Sequence, residues 1–98
     1  MTSIHEALEY RMMIGGASTE AISGQTFTSM DPYTGQPWAR VPNAGREDVD
    51  AAVAAARRAL EGPWGQLTAT QRGKLVHRLG DLLAREAQRL AELETRDN

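Results

Sequence analysis

The sequence contains no cysteine, so disulfides, thiolate metal sites and a thiol nucleophile are excluded from these 98 residues. Aromatic residues make up only 5% of the chain, which leaves little to fill a self-sufficient core. Basic charge is also scarce. Eleven Lys and Arg against 13 Asp and Glu give a net charge of -2, without the positive field that captures phosphate backbones, so no nucleic acid partner is expected. No stretch approaches the roughly 18–20 apolar residues of a membrane helix, and residues 1–14 lack the basic start and apolar run of a signal peptide. A soluble, cytoplasmic protein without membrane contact is the expectation.

Recognisable chemistry is missing as well. The nine glycines are dispersed, and they form neither G-x-G-x-x-G nor a phosphate-binding loop. His5 and His77 share no motif and read as solvated surface residues. The carboxylates alternate with arginines along helical faces, the usual pattern of a solvated surface. No residue is therefore nominated as catalytic or cofactor-binding. A chain of this size makes one small domain at most and buries only about two thirds of its unfolded surface, so a large substrate pocket is not expected.

What is present is a series of short elements. Residues 1–13 read as a flexible terminus. Arg11 to Ile14 is a short apolar run ended by Gly15-Gly16, and Ser23-Gly24 marks a second turn, so one short strand or hairpin fits there. Thr26–Met30 and Pro37–Val41 flank Asp31-Pro32-Tyr33-Thr34-Gly35, whose Asp, Pro and Gly are those that tight turns select, and this predicts a β-hairpin. The hairpin region as a whole covers residues 14–42.

From Gly45 the period becomes helical. Val49, Val53, Ala56 and Leu60 share one face, Glu47 and Asp48 lie in the first turn, and Gly62-Pro63 follows, which predicts a helix over 46–61. Trp64 reads as an apolar plug over the helix junction. Thr68 and Gln71 have the spacing of a capping box, opening a second helical stretch over 68–96 with a stripe of Leu75, Val76, Leu79, Leu82, Leu83 and Leu90. Asp81 and Arg85 stand four apart and can pair. Glu86 falls near the centre of the stripe, where an unpaired buried carboxylate is costly, so a break into two helices near 86–88 is expected.

Read in order, Ser23-Gly24-Gln25-Thr26-Phe27, Met30-Asp31-Pro32-Tyr33-Thr34-Gly35, Ala39-Arg40-Val41-Pro42, Glu47-Asp48-Val49-Asp50-Ala51-Ala52-Val53 and Gly62-Pro63-Trp64 form a connected series. It continues with Arg72-Gly73-Lys74-Leu75, Leu79-Gly80-Asp81-Leu82-Leu83 and Leu90-Ala91-Glu92-Leu93-Glu94-Thr95-Arg96-Asp97-Asn98. From about residue 14 to the end this resembles the N-terminus of the NAD(P)-dependent aldehyde dehydrogenase superfamily. Gly80 stands where that family usually has alanine, and Asp31 where it often has asparagine.

The resemblance implies an α/β fold of which residues 1–98 are the N-terminal part: β-hairpins, then two to three helices, packed onto a coenzyme-binding domain. It implies oxidation of an aldehyde to an acid with NAD or NADP, through a thiohemiacetal on a cysteine. The cysteine, the glutamate base and the oxyanion-hole asparagine would all lie beyond this segment, leaving it inactive alone. The whole protein would be a homodimer or homotetramer. Some members hold a monovalent cation partly on backbone carbonyls at positions matching Ser29 and Met30, with a further acidic ligand expected beyond Asn98. The other reading is an independent helical interaction module that binds a partner along the stripe from Leu75 to Leu90.

Overall fold

The computed structural model describes residues 7–98. Five short strands come first: β1 Leu8–Glu9, β2 Met12–Ile14, β3 Ala17–Thr19, β4 Thr26–Met30 and β5 Pro37–Pro42. Four helices follow: α1 Arg46–Glu61, α2 Pro63–Gln66, α3 Ala69–Arg85 and α4 Ala87–Asp97. This is a mixed α/β arrangement, with hairpins at the front and helices behind.

The two hairpins form for local reasons. β2 and β3 pair antiparallel with Ile14 opposite Ala17, so Gly15 and Gly16 alone make the loop. Both have positive φ (61° and 79°), the two-residue turn whose twist matches paired strands and which only glycine enters without strain. In the second hairpin the Asp31 carboxylate accepts from the backbone of Tyr33 at 2.8 Å and of Thr34 at 3.3 Å. The Asp31 carbonyl accepts from Gly35 at 2.7 Å. An asparagine could hold the same turn through its side-chain oxygen.

β5 lies in the middle of a three-stranded sheet, antiparallel to β4 and parallel to β1. Within the stretch expected to be flexible over 1–13, the described part carries β1 and the start of β2. Leu8 and Glu9 pair with Ala39 and Arg40, and Met12 and Met13 lie in a hairpin. Two residues carry no strand periodicity of their own, and the pairing depends on a strand thirty positions away. Residues 1–6, His5 among them, lie outside the described residues.

The helices start and stop on identifiable chemistry. Thr68 Oγ1 accepts from the Gln71 backbone at 3.2 Å while Gln71 Oε1 accepts from the Thr68 backbone at 2.9 Å, so the box that opens α3 is reciprocal. Glu86 (φ -100°, ψ 13°) leaves helical geometry between α3 and α4 and is exposed. Proline at the first position of α2 continues the chain in a further helical turn after Gly62, where a plain stop was read. Trp64 is 39% exposed, on the short α2 that packs against α1.

The valine face of α1 is not the one that packs. Val49 and Val53 are exposed, whereas Asp48 is buried and Ala55 half-buried on the face toward the β2–β3 ribbon. Small side chains let helix and ribbon approach closely: a Cβ on Gly15 would sit 3.8 Å from that of Ala55. The core is correspondingly slight, with Ala21 and Ala39 its buried apolar residues among those described. The radius of gyration is 17.0 Å, against about 13 Å for a compact domain of this length.

Candidate functional site

The sheet and α4 border an open cleft where the two ends of the described chain meet around polar atoms. The register of β4 and β5 shifts between Ser29, opposite Ala39, and Met30, opposite Pro37. Trp38 is therefore the extra residue of a β-bulge, a device that re-aims a side chain. Its indole forms the floor of a cleft of about 350 Å³ between β5 and the C-terminal end of α4. Tyr10, Val41 and Leu93 supply apolar walls, and Ser29 and Asp97 the polar end. Trp38 Nε1 is buried without a hydrogen-bond partner among the described residues.

Ser29 Oγ donates to Asp97 Oδ1, joining β4 to the last residue of α4 across 68 positions. Helical geometry makes this meeting: the break at Glu86 redirects the chain, and α4 then carries Asp97 back over β4. Ser29 and Met30 thus both border this region, Ser29 in the cleft and Met30 at the bulge. Within the chain, the acid that meets Ser29 is Asp97. Pro37 opposite Met30 has no N–H to offer a neighbouring carbonyl.

The arrangement can hold an ion or a hydrogen-bond acceptor. Among the described residues it does not assemble a nucleophile, since the Asp97 carboxylate accepts from the Ser29 hydroxyl and the described imidazole, His77, lies beside Asp81. The described residues include no group of three or more His, Cys, Asp and Glu able to hold a metal. His77 is exposed and its Nδ1 lies 3.5 Å from Asp81, so Asp81 meets His77 in place of the expected Arg85 among the described ion pairs.

Sequence reasoning missed the central role of Asp48, which it placed in the first helical turn for its charge. The residue is 5% exposed. Oδ2 accepts from the Gly45 backbone at 2.9 Å and Oδ1 from the Ile22 backbone at 3.0 Å, so one carboxylate caps α1 and ties it to the loop before β4. The cap was visible in the spacing from Gly45, but the bond to Ile22 spans 26 residues and leaves no local mark.

The aldehyde dehydrogenase family model matches residues 19–98, most of the chain. The chain belongs to the aldehyde dehydrogenase family. Among curated members it is 43% identical over 89 residues to the 2-hydroxymuconic semialdehyde dehydrogenase of Pseudomonas sp. (strain CF600), covering 91% of this chain and 18% of that protein. It is 41% identical over 87 residues to an aldehyde dehydrogenase of Aspergillus niger, covering 89% and 18%. Its fold superposes on the NAD+ complex of a Bacillus cereus aldehyde dehydrogenase with a TM-score of 0.89 at 44% identity, over 92% of this chain and 18% of the other. The Sinorhizobium meliloti NAD-dependent enzyme gives 0.87 at 33% identity, over 95% and 19%. As an aldehyde dehydrogenase chain, it therefore spans less than a fifth of the length of these relatives. The described residues contain no helix long and apolar enough to cross a membrane.

Proposed function

We propose that these residues are the N-terminal structural segment of an enzyme that oxidises an aldehyde to a carboxylic acid with NAD(P)+. The observation that carries this is the match of residues 19–98 to the family together with relatives roughly five times longer. In the complete enzyme a cysteine outside this segment attacks the aldehyde carbonyl to form a thiohemiacetal, and the coenzyme supplies the hydride acceptor. The NAD+ complex of the Bacillus cereus relative supports NAD as that coenzyme, with NADP the other choice. A homodimer or homotetramer in the cytoplasm completes the reading.

The segment's own part is to bind and to position. The apolar stripes of α1 and α3 pack on the coenzyme-binding domain, and burial of such surface contributes about 25 cal/mol per Å². The backbone carbonyls of Ser29 and Met30 hold a monovalent cation, with the Asp97 carboxylate within reach of Ser29 as the counter-charge. A hard cation takes oxygen ligands, and carbonyl and carboxylate oxygens are of that kind. Alone, the 98 residues do not turn over.

The alternative, an independent module that binds a partner along Leu75 to Leu90, draws on the exposure of that same stripe. The intact mass of the polypeptide purified from its source cells decides between them. A mass roughly five times 10.7 kDa, with aldehyde-dependent NAD(P)H formation, is expected. A native polypeptide of 10.7 kDa that reduces no coenzyme would overturn the enzyme reading.

A further inference from the structure

One wall of the cleft over Trp38 is made by a very short piece of chain. β1 contributes two residues to the sheet and ends there, so its pairing cannot propagate. Among the described residues, its two ladder pairs with Ala39 and Arg40 are joined by three further contacts: the Tyr10 backbone donates to the Arg40 carbonyl at 3.0 Å, the Arg40 guanidinium donates to the Glu9 carboxylate at 3.0 Å, and the Tyr10 ring meets Trp38 edge-on with centroids 6.1 Å apart. The ion pair is screened, since its side chains are 48% and 70% exposed. The edge-on aromatic pair has favourable geometry and is the only one of the three that closes the cleft.

The chain on the far side of Tyr10 is tied into its own hairpin, through an Arg11–Glu20 pair as exposed as Arg40–Glu9 and through local bonds besides. Arg11 binds the Ser18 hydroxyl at 2.9 Å and the Glu20 carboxylate at 3.0 Å, the Gly15-Gly16 turn locks the ribbon, and Asp48 holds Ile22. The chain thus passes from the sheet to the ribbon between Tyr10 and Arg11, from two ladder pairs with a distant strand to three closed by a local turn. Local opening follows such boundaries, because a segment with few contacts can part while its neighbours stay folded.

We propose that Leu8–Tyr10 is a detachable strap on the sheet edge, with Tyr10 as its latch on Trp38. Its release leaves the β2–β3 ribbon in place. It uncovers the outer edge of β5 at Ala39 and Arg40, and it opens the cleft from the side of Tyr10. Ala39, 1% exposed between Leu8 on one side and Ser29 on the other, is the residue whose cover depends most on closure.

Hydrogen–deuterium exchange of the complete polypeptide tests this, read on peptides spanning residues 8–10, 12–19, 26–30 and 37–41. Tyr10→Ala is expected to speed exchange at 8–10 and 37–41 by about 5- to 10-fold, and Glu9→Gln by about 2- to 5-fold, with 12–19 and 26–30 unchanged in both. Arg11→Ala is the complementary variant and should loosen 12–19 without touching 8–10. Should Tyr10→Ala not fold, Glu9→Gln and the salt dependence of exchange at 8–10 carry the same reading. Exchange at 8–10 that is unmoved by the latch variants, or that rises in step with 12–19 in every variant, would show strap and ribbon to be one unit and overturn the proposal.

Discussion

A carboxylate that is 5% exposed must be matched by donors, and Asp48 finds them on two segments that have no other reason to be adjacent. Removing it strands the Gly45 and Ile22 N–H groups in partly buried surroundings, where an unmet backbone donor costs about 1–3 kcal/mol. Asp48→Ala should therefore open the start of α1 and the loop at Ile22 together, by about 2 kcal/mol, seen as faster amide exchange at both places in the complete polypeptide. Asp48→Asn keeps one acceptor and should cost less than half as much. Equal losses for the two variants would mean that bulk, and not hydrogen bonding, is what the site requires. Arg40 and Glu9, by contrast, face water, and surface pairs of this kind contribute little.

At the scale of elements, the junction of α1 and α2 is set by a close approach. A Cβ on Gly65 would overlap the Leu60 carbonyl, which is backbone and cannot swing away. Gly65→Ala should cost about 1–3 kcal/mol by forcing the two helices apart, measured as a drop in the denaturation midpoint of the complete polypeptide. An unchanged midpoint would show that the junction yields freely. Elements fixed by neighbours in sequence were legible beforehand: the Asp31–Gly35 turn, the box at Thr68 and the break at Glu86 each follow from side chains within four residues of the event. Those that needed distant partners were not. β1 exists only because β5 offers an edge, the turn of α2 hides behind a Gly-Pro that reads as a stop, and α1 packs through Asp48 and Ala55 because the ribbon admits only small residues. The candidate site divides the same way. Ser29 and Met30 came from the family resemblance, while Asp97 reaches Ser29 across 68 residues through the geometry of two helices.

At the scale of the molecule, seventeen large hydrophobic residues among those described remain exposed, and five of them, Leu75, Val76, Leu79, Leu82 and Leu83, lie on α3 alone. A helix of that kind draws its stability mostly from packing of its apolar face, since propensity rarely suffices in water. Here α3 touches α4 at their junction and little else, and the radius of gyration of 17.0 Å reflects it. Contiguous apolar surface on this scale is covered in a working protein. The 98-residue chain on its own should accordingly bind an apolar fluorescent dye strongly or self-associate, and it should lose helical signal gradually on heating. The complete polypeptide, with α3 and the valine face of α1 covered, should bind the dye only weakly and melt cooperatively. Replacing Leu79 and Leu83 by Gln separates the contributions: dye binding by the short chain should fall, while the complete polypeptide should be destabilised, because the same side chains are surface in one and core in the other. A short chain that stays monomeric, excludes the dye and melts in a single sharp transition would show that these helices close on themselves, and would remove the physical ground for the larger enzyme.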